Sequence, residues 1–278
     1  MPAAELRNLA GADLDGLDVW FRASPIEHCY LKSQLERTGV QGFFALEQPM
    51  RAGVYLRPGR LMVPFGEVGA GGELGRALEA MRPDLRYVVG RRDLVDGLWE
   101  RLARWYPEPA WVRANCVYGM EREEFRPAAA RPGGRLRMPV LADADWLMAA
   151  SSAMDKEDRG VDPLAEDPVG LRRYVEWLIQ EQLVFLWEED GHIVFKAQAA
   201  CVHPLGALVE GVYTVPAARG KGVGAAGLTA VATALLAKSP RLGLYVNEDN
   251  LAARRLYERV GFRPVGEYRS ILFHPRSH

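Results

Sequence analysis

A short glycine-rich segment in the second half of the chain constrains the fold more than any other feature. Residues 210–215 read Glu-Gly-Val-Tyr-Thr-Val and predict a β-strand, which Pro216 ends because proline lacks an N–H for a strand ladder. Residues 219–224 read Arg-Gly-Lys-Gly-Val-Gly and open into an apolar helix. Strand, glycine loop and helix N-terminus together direct several N–H donors at one point. The segment predicts an anion site, most often for phosphate, and the alternative is a turn without a ligand.

The composition restricts the classes of protein to which the chain can belong. A formal net charge of -1 over 278 residues and a pI near 6.6 give no general attraction to nucleic acid or anionic membranes. Cys29, Cys116 and Cys201 are widely spaced and odd in number, which does not fit a disulfide framework. They also do not supply the two pairs of ligands that a structural zinc site needs. No signal peptide or membrane-spanning run is evident. We expect a cytoplasmic monomer or homodimer without a metal and without a nucleic-acid or membrane partner.

A change of composition near the middle of the chain predicts two domains. Residues 126–135 read Arg-Pro-Ala-Ala-Ala-Arg-Pro-Gly-Gly-Arg, and this run of small residues, prolines and paired glycines is typical of a linker. We expect a smaller mixed α/β domain over residues 1–130 and a second domain over residues 136–278.

Periodicity and turn residues predict the order of elements. In the first domain we expect helices over residues 1–38, strands at 42–47, 54–56, 61–65, 86–90 and 114–120, and helices at 73–81 and 93–105. In the second we expect strands at 136–141, 184–188, 193–203, 207–215, 243–246 and 263–273, and helices at 143–154, 171–179, from the glycine loop to 238, and at 251–260. Asp190-Gly191 predicts a hairpin. Residues 155–167 are strongly acidic and predict an irregular segment.

A second glycine-rich run lies in the first half, where residues 69–75 read Gly-Ala-Gly-Gly-Glu-Leu-Gly. Three residues separate Gly71 from Gly75, which does not fit the spacing of a dinucleotide-binding loop. We therefore expect a structural loop here and not a ligand site.

The order of elements around the glycine loop resembles the GNAT superfamily of acyl-CoA-dependent N-acetyltransferases. Its loop signature is Gln or Arg, any two residues, Gly, any one residue, then Gly or Ala, and Arg219, Gly222 and Gly224 match it. Asn250, Ala253, Tyr257 and Gly261-Phe262 match a second signature of the superfamily at the right separation.

The resemblance covers residues 136–278 and implies an α+β fold with a mixed central sheet. Phe195-Lys196-Ala197, Gly211-Val212 and Ile271-Leu272-Phe273 are similar to bacterial two-domain GNAT proteins, whose N-terminal domain has no assigned function. Because tandem GNAT proteins exist, the first domain is also interpreted as a degenerate copy of the same fold that has lost cofactor binding.

The resemblance implies acetyl-CoA as the acyl donor and assigns roles to the residues of the loop. The N–H groups of residues 220–225 would hold the pyrophosphate, while Arg219 and Lys221 supply positive charge. Main-chain groups of residues 213–215 would pair with the pantetheine arm, and Asn250 would bind it or cap a helix. The residues expected to bind acetyl-CoA are Tyr213, Thr214, Val215, Arg219, Gly220, Lys221, Gly222, Val223, Gly224, Ala225 and Asn250.

The catalytic residues follow from the same resemblance. Tyr257 would protonate the departing thiolate as a general acid, and the alternative is a tyrosine of the core. Glu210 is the candidate general base, with Glu157 or Asp158 of the acidic segment as alternatives. The acidic segment would attract a cationic amine, although such runs are commonly solvated surfaces.

Three functions remain open at this point. The first is an acetyl-CoA-dependent N-acetyltransferase that transfers an acetyl group, by direct attack in a ternary complex, to a primary amine of a small molecule or protein. The second is a non-enzymatic acyl-CoA-binding regulatory protein. The third is an enzyme in which both halves of the chain build one acceptor cleft.

Overall fold

A computed structural model describes residues 5–46, 50–57 and 60–274. The chain separates into two compact units, and the boundaries between them fall after Tyr118, Leu244, Leu251 and Arg263. The first unit contains the described residues of Met1–Tyr118, Tyr245–Leu251 and Pro264–His278, and the second contains Gly119–Leu244 and Ala252–Arg263. Tyr245–Leu251 and the C-terminal strand lie in the range that the sequence interpretation gave to the second domain. The division at residues 130 and 136 remains a proposal about how the chain is organised.

The first unit is built from helices and strands that alternate in its second half. Its strands are β1 (Leu6–Asn8), β2 (Phe43–Leu46), β3 (Ala52–Arg57), β4 (Leu61–Gly66), β5 (Tyr87–Arg91) and most of β6 (Trp111–Glu121). Its helices are α1 (Leu14–Ala23), α2 (Pro25–Thr38), α3 (Gly71–Met81) and α4 (Arg92–Leu102).

The second unit repeats this order of elements. Its strands are β7 (Gly134–Arg137), β8 (Val184–Glu189), β9 (His192–His203), β10 (Gly206–Thr214) and the first half of β11 (Arg241–Asn247). Its helices are α5 (Ala144–Arg159), α6 (Pro163–Glu166), α7 (Pro168–Gln180), α8 (Val223–Leu236) and α9 (Leu251–Val260), and the chain then enters β12 (Arg263–Leu272).

The sheet of the first unit is completed by the C-terminal end of the chain. Its strand order runs β1-β2-β3-β4-β5-β12, and β12 pairs antiparallel with β5 from Tyr268↔Arg91 to Leu272↔Tyr87. Ile271 and Phe273 are buried in the same apolar core as the side chains of α3 and α4. The core of the first unit therefore requires residues that lie about 150 positions after the end of β6.

The sheet of the second unit has the order β7-β8-β9-β10-β11, with β10 and β11 parallel and the other neighbours antiparallel. The side chains of α5 and α7 cover one face of the sheet around Val184 and Leu186. The opposite face is covered by α8, where Gly227 allows close approach: a Cβ there would lie 2.5 Å from Cδ1 of Phe195. Both units therefore contain the mixed sheet and flanking helices expected of an α+β fold.

Several predicted elements are confirmed, above all where the signal is local. The β8–β9 hairpin turns at Asp190 and Gly191, both of which have positive φ angles (50° and 79°) as the predicted turn requires. The predicted bounds of α9 are reproduced.

Three predicted elements are wrong. Residues 1–38 are not all helical, because β1 precedes α1 and pairs with β2 from Leu6↔Leu46. The strand predicted at 136–141 ends at Arg137, since the following residues form the turn that enters α5. The acidic segment is mostly helical, with α5 continuing to Arg159 and α6 following. In the predicted strand at 42–47, Glu47 lies outside the described residues.

Each unit begins with the same ion-paired turn. Arg7 donates to both carboxylate oxygens of Asp13 at 2.7 Å, and Arg137 donates to both oxygens of Asp143 at 2.7 and 2.8 Å. Each aspartate also accepts the N–H three residues before it, at 2.8 and 2.7 Å. The spacing from arginine to aspartate is the same in both turns. This shared feature supports the interpretation of the first unit as a copy of the second.

Two of the glycines in residues 69–75 are required for packing between helices. A Cβ at Gly71 would lie 2.5 Å from the carbonyl oxygen of Leu94, and one at Gly75 would lie 2.9 Å from Cα of Leu98. Both glycines let α3 approach the backbone of α4 closely. Packing thus accounts for Gly71 and Gly75, whereas a Cβ at Gly69 or Gly72 would meet nothing within 4 Å.

We expect Ile271→Ala to destabilise the first unit although the residue lies near the C-terminus. Ile271 is fully buried in that core, so the substitution should cost roughly 2–5 kcal/mol. Val265→Ala on the same strand is a matched control, because Val265 is 57% exposed and its loss should stay within about 0.5 kcal/mol. Hydrogen exchange should become faster in α3 and α4 in the first variant only. Faster exchange confined to α5 and α7 would contradict this assignment of β12.

Candidate functional site

The parallel pairing of β10 with β11 stops early. The register covers Ala207↔Leu242 and Leu208↔Gly243, and the rest of β10 through Thr214 has no paired residue on β11 in the described part of the chain. The N–H of Val215 donates to Val194 on the other side, at 3.0 Å. Since strand residues alternate in direction, the main chain of Thr214 faces the edge that β9 does not pair. One edge of β10 is therefore open just before the glycine loop.

A bulge lies in the same strand. The β9–β10 register changes between Glu210↔Gln198 and Tyr213↔Lys196, so that two residues of β10 oppose one residue of β9. Gly211 lies in the bulge with φ of 60°, in the left-handed region that favours glycine. A Cβ at this position would lie 2.8 Å from Cδ of Gln198, so a larger residue would displace that side chain.

The glycine loop takes the conformation that its sequence predicts. Gly220 and Gly222 have φ angles of 73° and 81°, and α8 begins directly afterwards at Val223. The first hydrogen bond of the helix runs from Ala226 to the carbonyl of Gly222, at 3.1 Å. The N–H groups of Val223, Gly224 and Ala225 therefore belong to the first turn, where a helix provides no internal acceptors. They add the positive end of the helix dipole to the loop.

The two predicted cations of the loop differ in their surroundings. Arg219 is anchored, because it donates to the carbonyl of Thr214 at 2.9 Å and to Glu157 at 2.7 Å. Its guanidinium also lies 5.4 Å from the ring centroid of Tyr213. Lys221 is exposed and forms no ion pair with any described residue. Arg219 therefore shapes the loop, while the charge of Lys221 stays available.

Sequence interpretation missed a third cation at the loop. Arg131, which we assigned to the linker, donates to the carbonyl of Lys221 at 2.5 Å and forms a two-point ion pair with Glu189 at 2.5 and 2.9 Å. Its Nη1 would lie 3.6 Å from a Cβ at Gly222. The only sequence signal was an arginine among small residues. Arg131 ties the loop to the end of β8.

Tyr257 is buried, with 7% of its surface exposed, and its ring packs edge-on to Phe262 at 6.1 Å between centroids. Burial, assisted by the negative charge of Asp158, raises the pKa of the phenol well above its ordinary value. The hydroxyl therefore keeps its proton over the physiological range, as a donor must. The geometry suits either of the two roles considered, acid or core tyrosine.

Glu210 lies beside the bulge and belongs to a polar cluster. One of its oxygens accepts the side-chain N–H of Gln198 at 2.9 Å and lies 3.3 Å from the hydroxyl of Tyr174. Gln198 also donates to the hydroxyl of Tyr174, at 2.9 Å. Tyr174 stacks on Trp177, with centroids 6.0 Å apart. A carboxylate next to an aromatic pair is suited to an amine.

Of the two alternative bases, Glu157 is held in an ion pair. Glu157 is bound to Arg219 at 2.7 Å. The rest of the acidic segment is also largely neutralised, since Asp155 pairs with Arg159 at 2.5 Å and Asp162 with Lys156 at 2.6 Å. The segment therefore presents far less negative charge to an approaching amine than its sequence suggests.

Asn250 lies at the residue before α9, where an N-cap is expected, and its N–H donates to the carbonyl of Asn247 at 3.0 Å. Its contact with a cofactor stays a prediction.

The residues around the loop fit a pyrophosphate and an extended arm. Gly224 faces Thr214, and a Cβ added there would lie 3.1 Å from the threonine Oγ1, so the glycine leaves a space that a side chain would fill. That space lies between the open edge of β10 and the N–H groups of α8. No group of three or more His, Cys, Asp or Glu side chains able to hold a metal occurs among the residues that the structure describes. None of the described helices has both the length and the apolar character needed to cross a membrane.

Residues 149–262 match the Acetyltransferase (GNAT) family. The chain is also similar to a mycothiol acetyltransferase from Geodermatophilus obscurus, with 34% identity over 174 residues that cover 55% of this chain and 53% of the relative. It thus spans about half the length of that curated relative. Residues 149–262 therefore match a GNAT acetyltransferase domain, and members of that family use acetyl-CoA as the acyl donor.

Solved structures share the fold across nearly the whole chain. A Drosophila protein gives a TM-score of 0.68 at 14% identity and covers 99% of this chain and 100% of its own. A tandem GNAT protein from the clavulanic acid biosynthesis pathway gives 0.56 at 14% identity, covering 98% and 99%. At these identities the likeness establishes the fold alone.

We expect the anchor at Arg131 to restrain the glycine loop. Arg131→Met removes the bonds to Lys221 and Glu189, so amide hydrogen exchange in residues 218–225 should become faster. Arg135→Met is the matched control, because Arg135 binds Glu188 and not the loop. Equal exchange in both variants would show that Arg131 does not hold the loop.

Proposed function

We propose that the protein is an acetyl-CoA-dependent N-acetyltransferase that acts on a primary amine of a small molecule or a protein. The single observation that carries the proposal is the open edge of β10, which leads through the glycine loop into the N-terminus of α8. An extended chain with a pyrophosphate at one end matches that arrangement of main-chain groups. The relative named mycothiol acetyltransferase supports acetyl transfer as the class of reaction.

Different residues would bind different parts of acetyl-CoA. The N–H groups of residues 220–225 would hold the pyrophosphate, with Lys221 adding charge and Arg219 keeping the loop in place. The edge of β10 around Thr214 would pair with the pantetheine arm, and Asn250 would bind the same arm. Acetyl-CoA supplies an activated thioester carbonyl when bound.

The two catalytic residues would transfer protons, one as a general base and the other as a general acid. Glu210 would take a proton from the acceptor amine, because it is a carboxylate beside the bulge with one oxygen not used by Gln198. Tyr257 would donate a hydrogen bond, and then its proton, to the departing sulfur. Because the pKa of Tyr257 is raised, complete transfer of its proton is favourable only if the thiolate is also withdrawn from water, which raises the pKa of the corresponding thiol. The amine attacks directly, so no residue is acetylated on the way.

The first unit is proposed as a copy without a cofactor site. Its β4–β5 pair also diverges after two residue pairs, Leu61↔Tyr87 and Met62↔Val88. Pro64 lies two residues after the last paired residue of β4, which is the position that Glu210 has after Leu208 on β10. A Cβ added at Gly90 would lie 3.0 Å from the ring of Pro64. The β3–β4 register has no bulge. The proposed domains, residues 1–130 and 136–278, then differ in function, and we place the protein in the cytoplasm.

Binding of acetyl-CoA should depend on Gly224. Gly224→Glu places a side chain and a negative charge in the space between Thr214 and α8, so the dissociation constant should rise by at least about 100-fold, or about 2.7 kcal/mol. Thr233→Glu is the matched control, because Thr233 is exposed on the same helix two turns further on. Calorimetry with acetyl-CoA measures both. Unchanged affinity in a folded Gly224→Glu protein would remove this site from consideration.

Turnover should depend on the hydroxyl of Tyr257. Tyr257→Phe keeps the ring packed on Phe262 and removes the donor, so turnover should fall roughly 10- to 1000-fold while acetyl-CoA affinity stays the same. Release of coenzyme A in the presence of a panel of primary amines, or slow hydrolysis by water, gives the rate. If turnover is unchanged and only the Michaelis constant rises, the hydroxyl positions substrate and is not the acid. Unchanged kinetics in both assays would favour a non-enzymatic acyl-CoA-binding protein.

A further inference from the structure

A lysine is enclosed in the interior of the second unit. Lys196 on β9 is 1% exposed and forms no ion pair with a described residue. Phe195 packs against α8, so the alternation of strand side chains directs Lys196 to the opposite face, toward α5 and α7. Burying an ammonium without a close carboxylate is costly and is usually retained for a purpose. The catalytic roles proposed above do not use it.

The neighbour of this lysine is the glutamine that holds Glu210. Nζ of Lys196 lies 3.5 Å from Oε1 of Gln198, a long contact whose attraction is mainly electrostatic. Nε2 of the same amide donates to Glu210 at 2.9 Å. We name Lys196, Gln198 and Glu210 the buried relay.

Chemistry fixes which way the amide of Gln198 points. A protonated lysine can only donate, so the atom of Gln198 that faces it must be the oxygen. An ionised carboxylate can only accept, so the atom that faces Glu210 must be the nitrogen. The charges at the two ends therefore select one of two otherwise similar orientations of the amide.

The relay also borders the bulge of β10. Gly211 lies within van der Waals reach of Gln198, and Tyr213, on the other side of the bulge, pairs with Lys196. The buried relay therefore lies next to residues on both sides of the bulge, where the open edge of β10 begins.

We infer that Lys196 and Gln198 are positioning residues for acyl transfer: the ammonium orients the Gln198 amide, which holds Glu210 with one oxygen directed to the acceptor amine. The inference rests on the role proposed for Glu210. It assigns a reason for a charge that is buried between Phe195 and Ala197 on β9.

The charged and titratable groups around Lys196 come from each element packed on it. Burial lowers the pKa of Lys196 to about 8, while Asp155 of α5 and Glu210 of β10 favour its charged form and Arg159 of α5 disfavours it. Tyr213 of β10 lies opposite Lys196 in the strand register, and the hydroxyl of Tyr174 of α7 accepts from Gln198. Below this pKa the ammonium is present and the relay is oriented. Above it the neutral amine can also accept, so the Lys196 end no longer requires the amide oxygen and Glu210 alone orients the amide.

The side-chain amide signal of Gln198 tests the relay directly. In the ¹H–¹⁵N spectrum of the full chain, assigned with Gln198→Leu, the signal should shift between pH 6 and 10 with a midpoint near the Lys196 pKa of about 8. Lys196→Met should abolish the shift; methionine is close in size and apolar, so the buried site tolerates it. Lys156→Met is the control and should leave the shift intact, because Lys156 is exposed and binds Asp162. Absence of the shift in wild type, or its persistence in Lys196→Met, overturns the relay.

Hydrolysis of acetyl-CoA, corrected for the uncatalysed rate, tests the catalytic consequence without a need for the natural acceptor. Wild-type turnover should decline above the pH at which the amide signal shifts, and Lys196→Met should lose that limb and turn over at least about 10-fold more slowly at pH 7. Its affinity for acetyl-CoA should be unchanged, which separates this outcome from a failure of the donor site. Identical pH profiles in both proteins overturn the positioning role, even if the amide shift is found. Absence of wild-type turnover despite acetyl-CoA binding contradicts the proposed function and the role of Glu210 with it.

Discussion

The early end of the pairing between β10 and β11 is the constraint on which the second unit depends. Only two residue pairs join these strands, so the main chain beyond Leu208 must satisfy its hydrogen bonds on one edge by other means. The bulge at Gly211 then turns the strand locally, and the glycine loop brings the first turn of α8 to the end of the same open edge. An open strand edge, the N–H donors at the start of α8 and the carboxylate of Glu210 thus lie on one segment of the chain.

In the first unit the parallel strands β4 and β5 also separate after two residue pairs, but there is no bulge in the neighbouring strand pair. Its β3–β4 register is continuous, Pro64 occupies the place after the last paired residues, and Gly71 and Gly75 are used for contact between α3 and α4. The shared turn from arginine to aspartate is one respect in which the two units are alike.

Sequence reasoning succeeded where the determinants are close together in the chain. The glycine loop, the Asp190-Gly191 hairpin and the bounds of α9 follow from residues within a few positions of one another. It failed for β1, since a three-residue strand is too short to show alternation, and for the acidic segment, whose partners Arg219 and Lys156 are known only from the folded chain. The pairing of β12 with β5 and the anchoring of the loop by Arg131 join residues about 180 and 90 positions apart. No local pattern encodes such contacts.

We propose that one of two similar units has kept a site for acetyl-CoA. Titration calorimetry of the full chain with acetyl-CoA tests it most directly, because the stoichiometry counts the sites. The account predicts one molecule of acetyl-CoA per chain. Two molecules per chain would show that the first unit also binds the donor despite Pro64 and its continuous β3–β4 register, and an absence of binding would contradict the assignment of the open edge of β10.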